Sequence, residues 1–107
     1  MALLALAGCA QDRYQWNLSH AAFASSARRL PESERQEIVR LVSHATTETL
    51  LRVGQSYYER GVIIMHAITG YHDHRVTMFY LTKTGGRWII MYHEDASIKF
   101  GSVYTSD

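Results

Sequence analysis

The sequence predicts an α+β domain in which one or two N-terminal helices pack on a curled antiparallel sheet of about four strands. Three observations carry this. The chain has 107 residues, 47% of them hydrophobic and only one of them proline, which suits a single packed core and excludes a disordered or collagen-like chain. Residues 32–45 place apolar side chains at three- and four-residue spacing, the period of a helix with one face to bury. From residue 62 onward, short runs of branched and aromatic residues alternate with turn formers, which is the pattern of strands.

Taken in order, residues 11–17 are polar and aromatic without a period and read as a spacer. Residues 18–30 are rich in Ala and Ser; Ala21, Ala22, Ala24 and Ala27 favour a short helix, with Asn17 placed to cap it. The clearest helix start follows. Pro31 fits a first-turn position, and Glu32 and Glu34 set negative charge against the positive end of the helix dipole. Ile38, Leu41, Val42 and Ala45 form its apolar stripe, with Arg35, Gln36, Arg40 and Ser43 off it. Residues 46–53 alternate through Thr47, Thr49, Leu51 and Val53 and read as a strand or a helix-to-strand transition. Strands are expected at residues 62–69, 76–83, 88–93 and 98–104, with turns at 70–74, at Gly85-Gly86 and at 94–97.

The Gly85-Gly86 turn sets a register. If both glycines form a two-residue hairpin loop, Thr84 pairs with Arg87, Tyr80 lies opposite Met91 and Met78 opposite His93. A loop at 70–74 pairs Thr69 with Arg75 and sets His66 opposite Met78. One face then carries Val62, Ile64, His66, Ile68, Val76, Met78, Tyr80, Thr82, Ile89, Met91 and His93. The other carries Ile63, Met65, Ala67, Phe79, Leu81, Trp88, Ile90 and Tyr92. Both faces are too apolar to stand in water, so the helix covers one, and the second must meet the N-terminal helix, a partner subunit or a ligand.

Six histidines are available, four of them in the β-rich half. His66, Tyr80 and His93 make a polar trio on an apolar face, the lining expected of a small-ligand pocket. His72 and His74, two residues apart around Asp73, would face the same way in an extended loop and could share a divalent metal ion. A solvated loop and separately hydrogen-bonded imidazoles account for the same residues. Catalysis would require a nucleophile or a carboxylate beside the trio, and the expected register places none there, so enzymatic activity is not predicted and no cofactor is required. Eleven basic and ten acidic residues are mixed along the chain without a polybasic run, which argues against nucleic acid as a partner.

The N-terminus carries the most specific motif. Residues 2–7 are all Ala or Leu and lead into Leu6-Ala7-Gly8-Cys9, which contains the only cysteine. These four residues resemble the lipobox of bacterial lipoproteins at every position. The resemblance implies a signal segment at residues 1–8, cleavage before Cys9, and acylation of Cys9 as the membrane anchor. Several acyl chains at about 0.8 kcal/mol per buried methylene hold a protein stably at a bilayer. Ala10, where retention at the inner membrane favours Asp, implies the outer membrane, with the domain facing the periplasm. Residues 9–30 then form the lipidated tether and possible short helix, and residues 31–107 the α+β domain. The order of one helix followed by a curled sheet resembles the cystatin-like and nuclear transport factor 2-like folds, many of which enclose a pocket or dimerise through the open sheet face. The expectation is a periplasmic protein-interaction or assembly module, binding itself or another protein, with a small-ligand or metal-binding pocket as the alternative.

Overall fold

The computed structural model describes residues 9–70 and 75–96, and these form an α+β fold in which helices pack on a five-stranded mixed sheet. The elements are α1 (Ala10–His20), β1 (Ala22–Phe23), α2 (Ser25–Arg28), α3 (Glu32–Ala45), β2 (Thr49–Glu59), β3 (Val62–Gly70), β4 (Val76–Thr84) and β5 (Arg87–Asp95). Strands β2 to β5 form an antiparallel meander in chain order, and the two-residue β1 adds a parallel edge beside β2. The strand expected at residues 98–104 lies outside the described residues.

Helix α1 stands where the sequence suggested a spacer. Its inward face is Tyr14 and Asn17, three residues apart and buried, so it carries no aliphatic stripe to read. Tyr14 enters the main core, and the Arg40 guanidinium of α3 covers its ring at 4.4 Å. Asn17 is not the cap the sequence suggested, since it lies within α1. Its amide nitrogen donates to Ser43 Oγ of α3 at 2.9 Å, and its amide oxygen accepts from the Leu50 backbone N–H of β2 at 3.2 Å. One buried side chain therefore joins two helices and the sheet.

The helix expected over residues 18–30 is broken. The chain turns extended at Ala21, runs beside β2 with Ala22 opposite Arg52 and Phe23 opposite Val53, and then makes the single turn α2. The Ala24 N–H donates to the Val53 carbonyl at 2.8 Å, so a sheet-edge bond overrides the helix preference of alanine. Helix α3 begins after Pro31 as expected and buries Ile38, Val39, Val42 and Ser43. Leu41 is only half-buried and Ala45 exposed, because the buried stripe is rotated toward α1 and takes in Ser43, which Asn17 satisfies. At its first turns Glu34 accepts from Trp88 Nε1 at 2.8 Å and pairs with Lys83 Nζ at 3.0 Å, while Glu37 accepts from Arg87 Nε at 2.8 Å. These bonds clamp the β4–β5 hairpin to the helix. The Trp88 hydrogen bond, then that from Lys83, lowers the pKa of Glu34 below its ordinary value of 4.5.

The main core lies between the helices and one sheet face, with Ile38, Val39 and Val42 against Val53, Met65, Ala67, Phe79, Leu81 and Trp88. A second cluster of Ile64, Ile68, Val76, Met78, Tyr80 and Ala96 occupies the opposite face. Glycine is required at the β4–β5 turn, where Gly85 and Gly86 have φ of 58° and 80°, and Thr84 pairs with Arg87 as expected.

Asn17→Ala is expected to strand the Ser43 hydroxyl and the Leu50 N–H, costing about 2–4 kcal/mol. Thermal unfolding should register this as a fall of roughly 10–20 °C in the midpoint. A midpoint within the error of the unaltered protein would remove the proposed joint.

Candidate functional site

Two irregularities in the sheet build the site. Between Val53, opposite Ala67, and Ser56, opposite Met65, strand β2 sets Gly54 and Gln55 against the single residue His66. Such a bulge kinks the strand and re-aims its neighbours. Gly54 has φ of 111°, and a Cβ there would lie 2.5 Å from Ala24 Cβ and 3.0 Å from Ser26 Oγ, so only glycine lets α2 settle on the bulge. The result is a cavity of 320 Å³ lined by Ser26, Arg29, Gln55, Ser56, Tyr57 and His66.

The second irregularity falls at Met91, between the Leu81–Ile90 and Tyr80–Tyr92 pairs. One extra residue inverts the alternation beyond it. Tyr92 and Glu94 therefore join the face of His66 and Tyr80, and His93 moves to the helix side. The inversion completes a row of rings across four strands. Tyr57 lies 5.3 Å from His66, His66 meets Tyr80 edge-on at 5.1 Å, and Tyr80 stacks on Tyr92 at 4.4 Å between centroids. The Tyr80 hydroxyl donates to Glu94 Oε2 at 2.5 Å. Burial first, and then this bond to a carboxylate, hold the Tyr80 phenol protonated well above the usual tyrosine range. Tyr57 is also shifted upward, by desolvation and then by the charge of Glu59.

Burial lowers the pKa of His66 below its ordinary value of 6.5, so the ring is neutral at pH 7 and offers one donor and one acceptor nitrogen. The site thus combines aromatic surface, a neutral imidazole, a phenol tied to a carboxylate, and the Arg29 guanidinium at the cavity. That is a set of groups for holding a molecule by stacking and hydrogen bonding.

Of the residues named from sequence, His66 and Tyr80 are brought together, and directly opposite one another, because β3 and β4 pair Gly70 with Val76. The expected register paired Thr69 with Arg75; the observed one is two residues further on, an even shift that keeps each side chain on its face. His93 is not part of the cluster. Its ring packs at 5.1 Å against Phe79, on the helix side of the sheet. His72 and His74 lie outside the described residues, and among the described residues no three His, Cys, Asp or Glu side chains converge as metal ligands. Cys9 stands half-buried at the start of α1, its carbonyl accepting the Arg13 N–H at 3.0 Å; Leu6, Ala7 and Gly8 lie outside the described residues. Tyr92, expected on the other face, and Glu94, expected in a turn, join the site beyond the bulge at Met91, together with Tyr57, Arg29 and Gln55. The Gly54 in an otherwise regular strand pattern was the one available sign of the first bulge.

Compared with known proteins, the chain matches no family model, no curated protein and no solved structure.

The lowered pKa of His66 has a stability signature. In the unfolded chain the ring takes up a proton near pH 6.5, whereas the folded ring does so only at lower pH. Stability is therefore full above that value, falls as the pH drops below it, and levels off below the folded pKa. His66→Gln should flatten this part of the decline in urea midpoints measured from pH 7.5 to 5, and an unchanged slope would show that His66 is not desolvated.

Proposed function

We propose that this chain is a lipid-anchored, non-enzymatic protein-interaction module of a bacterial cell envelope, held by Cys9 at the outer membrane and facing the periplasm. The observation that carries the interaction reading is a rim of large side chains on the face opposite the helices. Tyr57 is 40%, Val62 41%, Ile89 42% and Tyr92 51% exposed, and they surround the buried Ile64 and Tyr80. Aromatic and branched residues gathered at one end of a sheet face are what a protein contact buries. The partner is a second copy of this chain, since a two-fold axis sets the same rim against itself.

The Leu6-Ala7-Gly8-Cys9 motif supports the anchor. No helix among the described residues is long and apolar enough to cross a membrane. Helix α1 begins at Ala10, so an acylated Cys9 would hold the folded domain directly at the lipid surface. A second reading, a small-ligand site, is favoured by the cavity beside His66.

Both parts have a direct test. In a diderm host, mass spectrometry of the membrane fraction should find Cys9 N-terminal and acylated, and Cys9→Ser should release the protein from that fraction. An unmodified thiol, or membrane retention of the variant, would overturn the anchor. In sedimentation equilibrium the soluble domain should dimerise with a dissociation constant in roughly the micromolar range, weakened at least about tenfold by Ile89→Asp with Tyr92→Asp. A strict monomer would overturn self-association.

A further inference from the structure

The geometry points to the cavity at the β2 bulge as a binding site for a small planar organic carboxylate. This rests on the small-ligand reading and adds the chemical class of the ligand. Arg29, at the C-terminal end of α2, is exposed and lines the cavity, and its guanidinium has no hydrogen-bond or ion-pair partner among the described residues. No carboxylate lines the cavity; Glu59, whose charge reaches Tyr57, is two residues further along β2 and outside the wall. The one charged group facing this space is therefore cationic, and a guanidinium holds a carboxylate through two parallel hydrogen bonds.

The remaining wall selects the body of the ligand. Gln55 contributes an amide, Ser26 and Ser56 contribute hydroxyls, and Tyr57 and His66 contribute two rings 5.3 Å apart and tilted by 52°. The Ser26 Oγ is buried and has no partner among the described residues, so the wall holds a polar group still to be satisfied. A volume of 320 Å³ is larger than an inorganic anion needs and is at the lower end of organic ligand sites. The carboxylate lies on Arg29, and the flat body of the ligand lies on Tyr57 and His66. The site exists because the bulge sets two residues against His66 and because Gly54 admits α2, which delivers Arg29.

Benzoate, with benzamide as its neutral counterpart, tests this by amide and imidazole chemical shifts. Benzoate should shift Gln55, Ser56, Tyr57 and His66 saturably, with a dissociation constant of about 1 mM as expected for so small a fragment. Benzamide should bind at least about tenfold more weakly. Arg29→Gln should weaken benzoate by a similar factor, and Arg29→Lys by less, because it keeps the charge and loses the fork. Arg29 is exposed, so both variants should retain the unaltered spectrum elsewhere. If benzamide binds as well as benzoate and Arg29→Gln changes neither, the carboxylate assignment is overturned while the pocket stands. If neither compound produces a saturable shift at these residues, the small-ligand reading falls with it.

Discussion

The side chain of Asn17 is the constraint on which the rest of this fold depends. It lies in the interior of α1, where a polar residue is unfavourable unless its groups are paired, and each is paired with a different layer: Ser43 in α3 and the first ladder residues of β2 at Leu50. The apolar inward surface of α1 is small, Tyr14 with the half-buried Leu18, and Arg13 Nε adds a bond to the Ser43 carbonyl at 3.2 Å, so apolar packing alone would leave the helix poorly fixed. The two directional bonds of Asn17 remove that freedom. They fix where the chain leaves α1 at Ala21, and hence where β1 meets β2 and where α2 can sit on Gly54.

The candidate site is a product of two departures from regular pairing. A perfectly alternating β5 would set Met91 opposite Tyr80 and His93 opposite Met78, with Tyr92 and Glu94 on the helix side. The single extra residue at Met91 exchanges them, so that an aromatic ring and a carboxylate replace a thioether and an imidazole. In β2 the bulge likewise inverts the alternation, bringing Tyr57 to the face of His66, and it also opens the cavity beside that ring. Both set chemistry without disturbing the core, because the helix-side residues Met65, Ala67, Phe79, Leu81 and Trp88 remain in phase through the stretches they occupy.

Much of this architecture is legible in the residues. The 3.6-residue period and acidic start of α3, the glycine pair after β4 and the branched strands follow from local chemistry, and each formed close to where that chemistry puts it. The join of His66 with Tyr80 was legible as a shared face, although the pairing partner was displaced by two residues. Helix α1 was not legible, because its buried positions are Tyr and Asn and its hydrogen-bonding partners are 26 and 33 residues away. The loss of helix at Ala22 had the same kind of cause, a sheet edge formed with a distant strand. His93 was misplaced because alternation carries no mark of a one-residue insertion when every neighbour, from Trp88 to Tyr92, is apolar or aromatic.

Helix α1 starts at the residue after Cys9 and locks into the core by Asn17. There is consequently no slack between the first described residue and the folded body. Eleven helical residues form a strut of about 16 Å. A pull applied at Cys9 would load that strut end-on and pass its tension first to Arg13 and Tyr14, which meet the Ser43 carbonyl and the core, and then to the Asn17 bonds to Ser43 and Leu50.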